Sequence, residues 1–344
     1  MADSFLTLGK NDRREALLAA AEQVGRPAYL LEKDIWVVWT LGVLFKSKLG
    51  EHLVFKGGTS LSKAYGGLIE RFSEDIDLTY DIRQLIPHLA GEAEEPIPRS
   101  KSQSRKWTDA VRAELPVWIK GQATPILQEA IAASGIDAKI VEEDEALCLR
   151  YGILTEGYGY VRPEVLLEFG ARSTGEPASK IAVVCDAAIA LPELTFPQAT
   201  PRVMAAERTF WEKATAAHVY CLKGSFRGDR FARHWHDLAK LAQSGIATRA
   251  IADRDLAARV AEHKQAFFVE KTPAGEEIAY LSAVSGALKL VPQGDALQCL
   301  EADYQAMIAS GLFEGDAISF DALMSSCKDI EDEANTSASK SDQS

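Results

Sequence analysis

Two aspartates stand one residue apart in Asp75-Ile76-Asp77. On a strand, side chains alternate faces, so these carboxylates share one face while Ile76 and Leu78 turn to the core. No lysine or arginine stands beside them on the strand, so they repel each other. Such a pair suits a hard divalent cation such as Mg²⁺ held between them. Upstream, Gly57-Gly58 follows the strand-like residues 52–55 and Lys56, and leads into Thr59-Ser60-Leu61. A two-glycine turn lets backbone N–H groups approach a phosphate closely, and a helix N-terminus just beyond favours negative charge. A strand, a glycine pair, a helix and a D-x-D strand together would hold a metal-bound triphosphate. Gly57, Gly58, Thr59 and Ser60 would take its tail. The spacing is not that of a Walker A loop, which wraps phosphates with GxxxxGK[ST]. Lys56 and Lys63 flank the turn within reach of phosphate, although solvent is the plainer place for Lys63. The bland alternative for a D-x-D on an exposed strand is a solvated face.

The elements that must position these residues follow from periodicity and breakers. Residues 12–48 read as two helices broken at Gly25-Arg26-Pro27. The second carries Glu32-Lys33-Asp34 ahead of the apolar run 35–45, with Trp36 and Trp39 as core residues. That run is about half of the roughly 20 residues a membrane span requires, so no membrane partner is expected. Residues 52–55 read as a strand, 56–60 as a turn, 61–65 as a helix and 74–80 as a strand. A loop is expected over 91–106, acidic first and then basic, and a helix pair over 107–134. Strands are expected at 138–141, 146–151 and 161–171, with turns at 142–145 and at Gly157/Gly159. Residues 181–189 add a strand or a helix, and helices dominate from Thr209 onward. The fold class is α+β. Residues 1–200 form one domain and 201–328 a helical one, with a linker over 192–201. Residues 329–344, acidic and serine-rich, are expected to be a disordered tail.

The chain has 344 residues, with 38 Lys+Arg against 50 Asp+Glu and a net charge of −12. Hydrophobic content of 47% and charged content of 26% exclude global disorder. The acidic balance excludes a protein that coats nucleic acid or anionic membrane by bulk charge, but not one with a local basic groove. Residues 92–95, 142–145 and 329–344 carry −11 of the −12. Five cysteines form no CxxC pair, which points to a reduced, cytoplasmic protein. The first ten residues lack a basic start followed by an apolar run, so no secretory leader is expected.

The glycine pair with its hydroxyl residue and the D-x-D strand resemble the DNA polymerase β-like nucleotidyltransferase fold. That pattern ends in a third carboxylate on a later strand, and Glu168 in Val165-Leu166-Leu167-Glu168-Phe169 matches it. The alternative is a rim residue paired with Arg172. Further fragments narrow the match: Glu32-Lys33-Asp34, residues 55–61, residues 71–78, residues 167–172, Glu207-Arg208-Thr209-Phe210-Trp211-Glu212-Lys213 and Arg233-His234-Trp235-His236-Asp237-Leu238. In order along the chain, they are similar to the AbiEii, or MenT-like, nucleotidyltransferase toxins. The resemblance implies a toxin of a toxin–antitoxin or abortive-infection system, with a cognate antitoxin protein. It also implies nucleotide transfer from a nucleoside triphosphate to the acceptor end of tRNA, which stops translation.

In that family a lysine and an aspartate of the helical half complete the active site, and the matching positions are Lys213 and Asp237. The lysine would offset charge on departing pyrophosphate. The aspartate would orient the lysine or act as base towards the attacking hydroxyl. The plain alternatives are an exposed lysine on an amphipathic helix and an i−4 salt bridge from Asp237 to Arg233. Lys223, Arg227, Arg230 and Arg233 beside Asp237 suit an RNA backbone, as the basic part of 99–106 does, or are ordinary solvated charges. His234 and His236 lie two apart, so on a helix they do not share a face for zinc. Two rivals remain: the same transferase acting on a protein or a small molecule, and a binding protein with a degenerate transferase fold.

Overall fold

The computed structural model describes residues 3–143, 146–155, 162–224 and 230–341. It is an α+β protein, with 56% of the described residues in helix and 14% in strand. The chain divides into two compact units. One comprises Met1–Gly66, Phe72–Pro96 and Trp107–Met204; the other comprises Gly67–Arg71, Ile97–Lys106 and the chain from Ala205 onward.

The first unit is built on a sheet of seven strands: β1 Leu53–Lys56, β2 Ile76–Tyr80, β3 Ala138–Glu143, β4 Ala146–Tyr151, β5 Glu164–Gly170, β6 Ala178–Lys180 and β7 Arg202–Met204. Their order is β3-β4-β5-β2-β1-β7-β6. β2 runs parallel to β5 and antiparallel to β1. Leu53, Val54 and Phe55 of β1 are all buried, which suits a central strand covered on both faces. β5 alternates instead, with Val165, Leu167 and Phe169 inside and Glu168 outside.

Helix α1 spans Lys10–Val24 and ends at Gly25 in the left-handed conformation. Helix α2, Ala28–Lys46, buries every residue from 30 to 42. A helix that is covered all round belongs to the core, and Trp36 and Trp39 lie there as expected. Helix α3, Gly57–Ala64, starts directly at the first glycine, so Gly57 to Ser60 are its first turn and not a free loop.

The second unit is helical. It contains α6 Ala206–Lys223, α7 Ala232–Gln243, α8 Ile246–Ala252, α9 Arg254–Phe267, α10 Asp295–Ala309 and α11 Phe320–Ser341. Trp211 and Trp235 are fully buried. Their indole N–H groups donate to Ala250 O and Leu290 O at 2.9 and 2.6 Å.

Several expectations are corrected. The basic part of the supposed loop opens helix α4, Lys101–Trp118. Ser100 Oγ accepts from Gln103 N while Gln103 Oε1 accepts from Arg99 N, a reciprocal helix start close to a capping box. A π-helical turn, Ile119–Ala123, joins α4 to α5, Thr124–Ser134. Residues 192–201 are not a linker but lie within the first unit. There Leu194–Thr195 pairs with Asp3–Ser4, and Gln198–Ala199 pairs with Val183–Val184. Residues 329–341, expected to be disordered, continue α11. Leu323, Cys327, Ile330, Ala334 and Ala338 are buried at helical spacing, and the stripe escapes notice because three of the five are alanine or cysteine. Glu331 Oε2 accepts from Leu290 N at 2.7 Å, and Asn335 pairs with both the N–H and the carbonyl of Leu288. The Gly157/Gly159 turn, Asp144, Glu145, Val161 and Arg227 lie outside the described residues.

Candidate active site

Register sets the centre of the first unit. Lys56 on β1 lies opposite Asp77 on β2, and Asp77 lies beside Glu168 on β5. Paired residues of neighbouring strands share a face, so Lys56, Asp77 and Glu168 form one row across three strands. Asp75, just before β2, is half-buried, as Asp77 is. Partial burial pushes the Glu168 carboxyl up, and the charges of Asp77 and then Asp75 push it further, while Lys56 pulls it down. A hydrogen bond from a protonated Glu168 to Asp77 acts in the same upward direction. Asp77 and Asp75 therefore both act on Glu168, and the rim pairing with Arg172 is not needed to explain it.

The glycine turn closes on this row. Gly57 has φ +80°, a conformation that L side chains rarely adopt, and an added Cβ would collide with the Asp77 carboxylate. The backbone at the start of α3 thus comes directly against the acid row. Thr59 and Ser60 are buried. Thr59 Oγ1 donates to the Asp75 carbonyl and lies 2.9 Å from Ser73 Oγ, while Ser60 Oγ donates to Gly57 O. Both hydroxyls are committed inside the protein, so what this turn offers an anion is its backbone N–H groups. No side chain caps the N-terminus of α3. The donor set fits a hard divalent cation: oxygen ligands only, mutually repelling, beside a cradle that a single Cβ would fill. Asp75, Asp77 and Glu168 could hold such an ion.

Lys63 corrects the solvent expectation. Its ammonium is buried between Asp34 and Asp186, 2.6 Å from each. Burial alone would lower it, but Asp34 and Asp186 outweigh burial and keep it charged.

In the second unit, Lys213 on α6 and Asp237 on α7 meet at 2.9 Å. Arg71 completes the group: Nε and Nη2 donate to the two Asp237 carboxylate oxygens at 2.8 Å each. Asp237 is fully buried. Burial would raise its carboxyl, but Arg71 and then Lys213 hold it far below the usual carboxylate range. A carboxylate fixed by two cations is a poor base and a good orienting group. Lys213 is not an exposed surface lysine either, being 8% accessible. Sequence reasoning gave Arg71 no role, although it opens the family-like fragment 71–78 four residues before Asp75.

The remaining candidates take plainer roles. His236 Nε2 donates to Ile69 O, and burial lowers its ring; burial lowers His234 to about 3. Lys223 pairs with Glu270. Among the described residues, Glu143, Cys148 and Glu164 bring three ligand atoms within 4.8 Å. Arg150 pairs with both acids, and burial pushes the Cys148 thiol up to about 12. No described helix is long and apolar enough to cross a membrane.

A mixed sheet presenting a carboxylate row against a glycine-started helix is consistent with a DNA polymerase β-like nucleotidyltransferase fold. The profile described as "Nucleotidyl transferase AbiEii toxin, Type IV TA system" matches residues 40–326. The chain belongs to the AbiEii family, and so is a nucleotidyltransferase toxin of a type IV toxin–antitoxin system that uses a nucleoside triphosphate and has a cognate antitoxin. Among solved structures it is similar to MenT4, a nucleotidyltransferase toxin from Mycobacterium tuberculosis H37Rv. That match has 16% identity and a TM-score of 0.42, covering 96% of this chain and 99% of the other. No curated protein matches the chain.

Proposed function

We propose that the toxin is a cytoplasmic, Mg²⁺-dependent enzyme that adds nucleotides from a nucleoside triphosphate to the 3′ acceptor end of tRNA, blocking translation. The observation that carries the metal-dependent chemistry is the Lys56–Asp77–Glu168 row with Asp75 beside it, closed by Gly57. Asp75, Asp77 and Glu168 would hold the ion, which when bound supplies positive charge to the reacting phosphate and lowers the pKa of the attacking hydroxyl. The backbone N–H groups of Gly57, Gly58, Thr59 and Ser60 receive the triphosphate tail. The acceptor hydroxyl oxygen attacks the α-phosphorus, the bond to the bridging oxygen breaks, pyrophosphate leaves and the hydroxyl proton passes to solvent water. Lys213 carries the charge that offsets the leaving pyrophosphate, and Asp237 orients Lys213. The assignment of these two residues rests on the family resemblance together with the geometry of the Arg71–Asp237–Lys213 group.

The choice of tRNA rests on the resemblance alone, and one experiment tests it. Incubating the toxin with each labelled triphosphate, total RNA and cell protein, followed by a gel, should label tRNA-sized RNA. Label on protein or on a small molecule instead would replace the acceptor. Absence of divalent-dependent triphosphate binding would favour a non-catalytic binding protein.

A further inference from the structure

Glu32, Lys33 and Asp34 are consecutive on α2, and none is more than 2% exposed. Successive helical residues point about 100° apart, so the three reach in different directions. Glu32 accepts from Leu154 N, Thr155 N and Thr155 Oγ1 at 2.9, 3.1 and 2.9 Å. Lys33 Nζ lies 3.1 Å from Glu74 Oε2 and donates to Arg162 O at 3.0 Å. Asp34 binds Lys63 Nζ at 2.6 Å and accepts from Asp186 N at 2.7 Å.

The grasped residues are not scattered. Glu74 immediately precedes Asp75. Lys63 belongs to α3, whose first turn is the glycine cradle. Arg162 stands two residues before β5, which carries Glu168. One turn of α2 therefore grips the backbone carriers of all three parts of the acid site. Burying three ionisable side chains is expensive, and apolar replacements of a buried ion pair are often neutral or stabilising. Stability is thus a poor reason for the trio, whereas fixed placement is a good one.

We propose that Lys33 and Asp34 are positioning residues of the transfer site, Lys33 acting through Glu74 on the Asp75 segment and Asp34 acting through Lys63 on the glycine cradle. This rests on the reading of Asp75 and Asp77 as cation ligands. The test uses the ion-free full-length chain carrying Lys33→Met with Glu74→Leu, which removes both charges and keeps apolar volume. Melting temperature should stay at or above that of the parent. Mn²⁺ binding by calorimetry should weaken about tenfold or more, the size typical for groups that orient metal ligands. Amide exchange over residues 72–76 should accelerate by a similar factor, and Asp34→Asn should do the same over 57–61. Mn²⁺ affinity within twofold of the parent, with unchanged exchange, overturns the proposal. If the double variant does not fold, Lys33→Met alone is read against Lys33→Glu with Glu74→Lys. Recovery of Mn²⁺ affinity in the charge-exchanged pair supports the proposal, and full affinity in the single variant overturns it. Should the parent bind no Mn²⁺, the cation reading fails, while the exchange measurement still decides whether α2 fixes these segments.

Discussion

In the first unit, Asp77 and Glu168 sit side by side with Asp75 nearby, and the charge is in negative excess even with Lys56 in the row. In the second unit, a single carboxylate, Asp237, answers both Arg71 and Lys213 and the excess is positive. The electrostatics move in opposite directions as a result. Burial and then crowding raise Glu168, whereas its partners depress Asp237. A region that is short of positive charge is suited to recruit a cation. A region whose carboxylate is already saturated is suited to hold its own cation still. The same residue type, Asp, is a ligand in one place and a brace in the other, and only the neighbours distinguish them.

The sharpest way to break this contrast is Asp75→Ala or Asp77→Ala. Each should abolish nucleotide transfer and growth inhibition with little change in circular dichroism or melting temperature. A purified variant that still labels RNA from labelled triphosphate defeats the assignment. Lys213→Met should lower kcat by about 10²–10³-fold, the usual range for losing one donor aimed at developing charge, with KM for the triphosphate changed far less. Asp237→Asn attacks the brace. It removes the counter-charge that buried Arg71 and Lys213 share, so chemical denaturation should show a loss of about 3–5 kcal/mol. Equal stability would make the Arg71–Asp237 pair ornamental.

The smallest effect is in pH dependence, and its sign differs between the regions. Glu168 is raised in the native state, so above the ordinary glutamate range the native protein keeps a proton that the unfolded chain has lost. Stability from this group therefore falls as pH rises through that window. Asp237 is depressed, so its contribution is present above the ordinary aspartate range and is lost as pH falls below it. Melting temperatures in chelator between about pH 3 and pH 7 should show both limbs. Glu168→Gln should flatten the upper limb alone, and an unaltered upper limb would show that Glu168 is not raised in the native state.

Much of the acid site was legible because its signals are local. Period-two alternation put Asp75 and Asp77 on one face, and the glycine pair marked a close backbone approach. Glu168 needed more, since it lies 91 positions beyond Asp77 in sequence and only register places it beside Asp77. Asp237 illustrates the limit. Spacing offered Arg233 one turn away, yet the partner that matters, Arg71, is 166 positions distant. Lys63 was misread for a similar reason, because a lone lysine on a short helix looks solvated until Asp34 and Asp186 are brought to it. The trio on α2 was visible as charge in an otherwise apolar helix, but nothing local said what each residue holds. The helix starting at Lys101 was in principle readable, from Ser100 and Gln103, and was hidden by the polar character of its first turn.

The last helix carries a practical lesson for anyone handling this toxin. Its sequence invites trimming after residue 328 or attaching a tag close by. Cutting there would take away the acceptors for Leu288 N and Leu290 N and unseat Ile330, Ala334 and Ala338 from the helical unit. The polar end is a splint for residues 288–291, and a shortened protein that failed in a toxicity assay would report a broken scaffold, with its chemistry still unexamined.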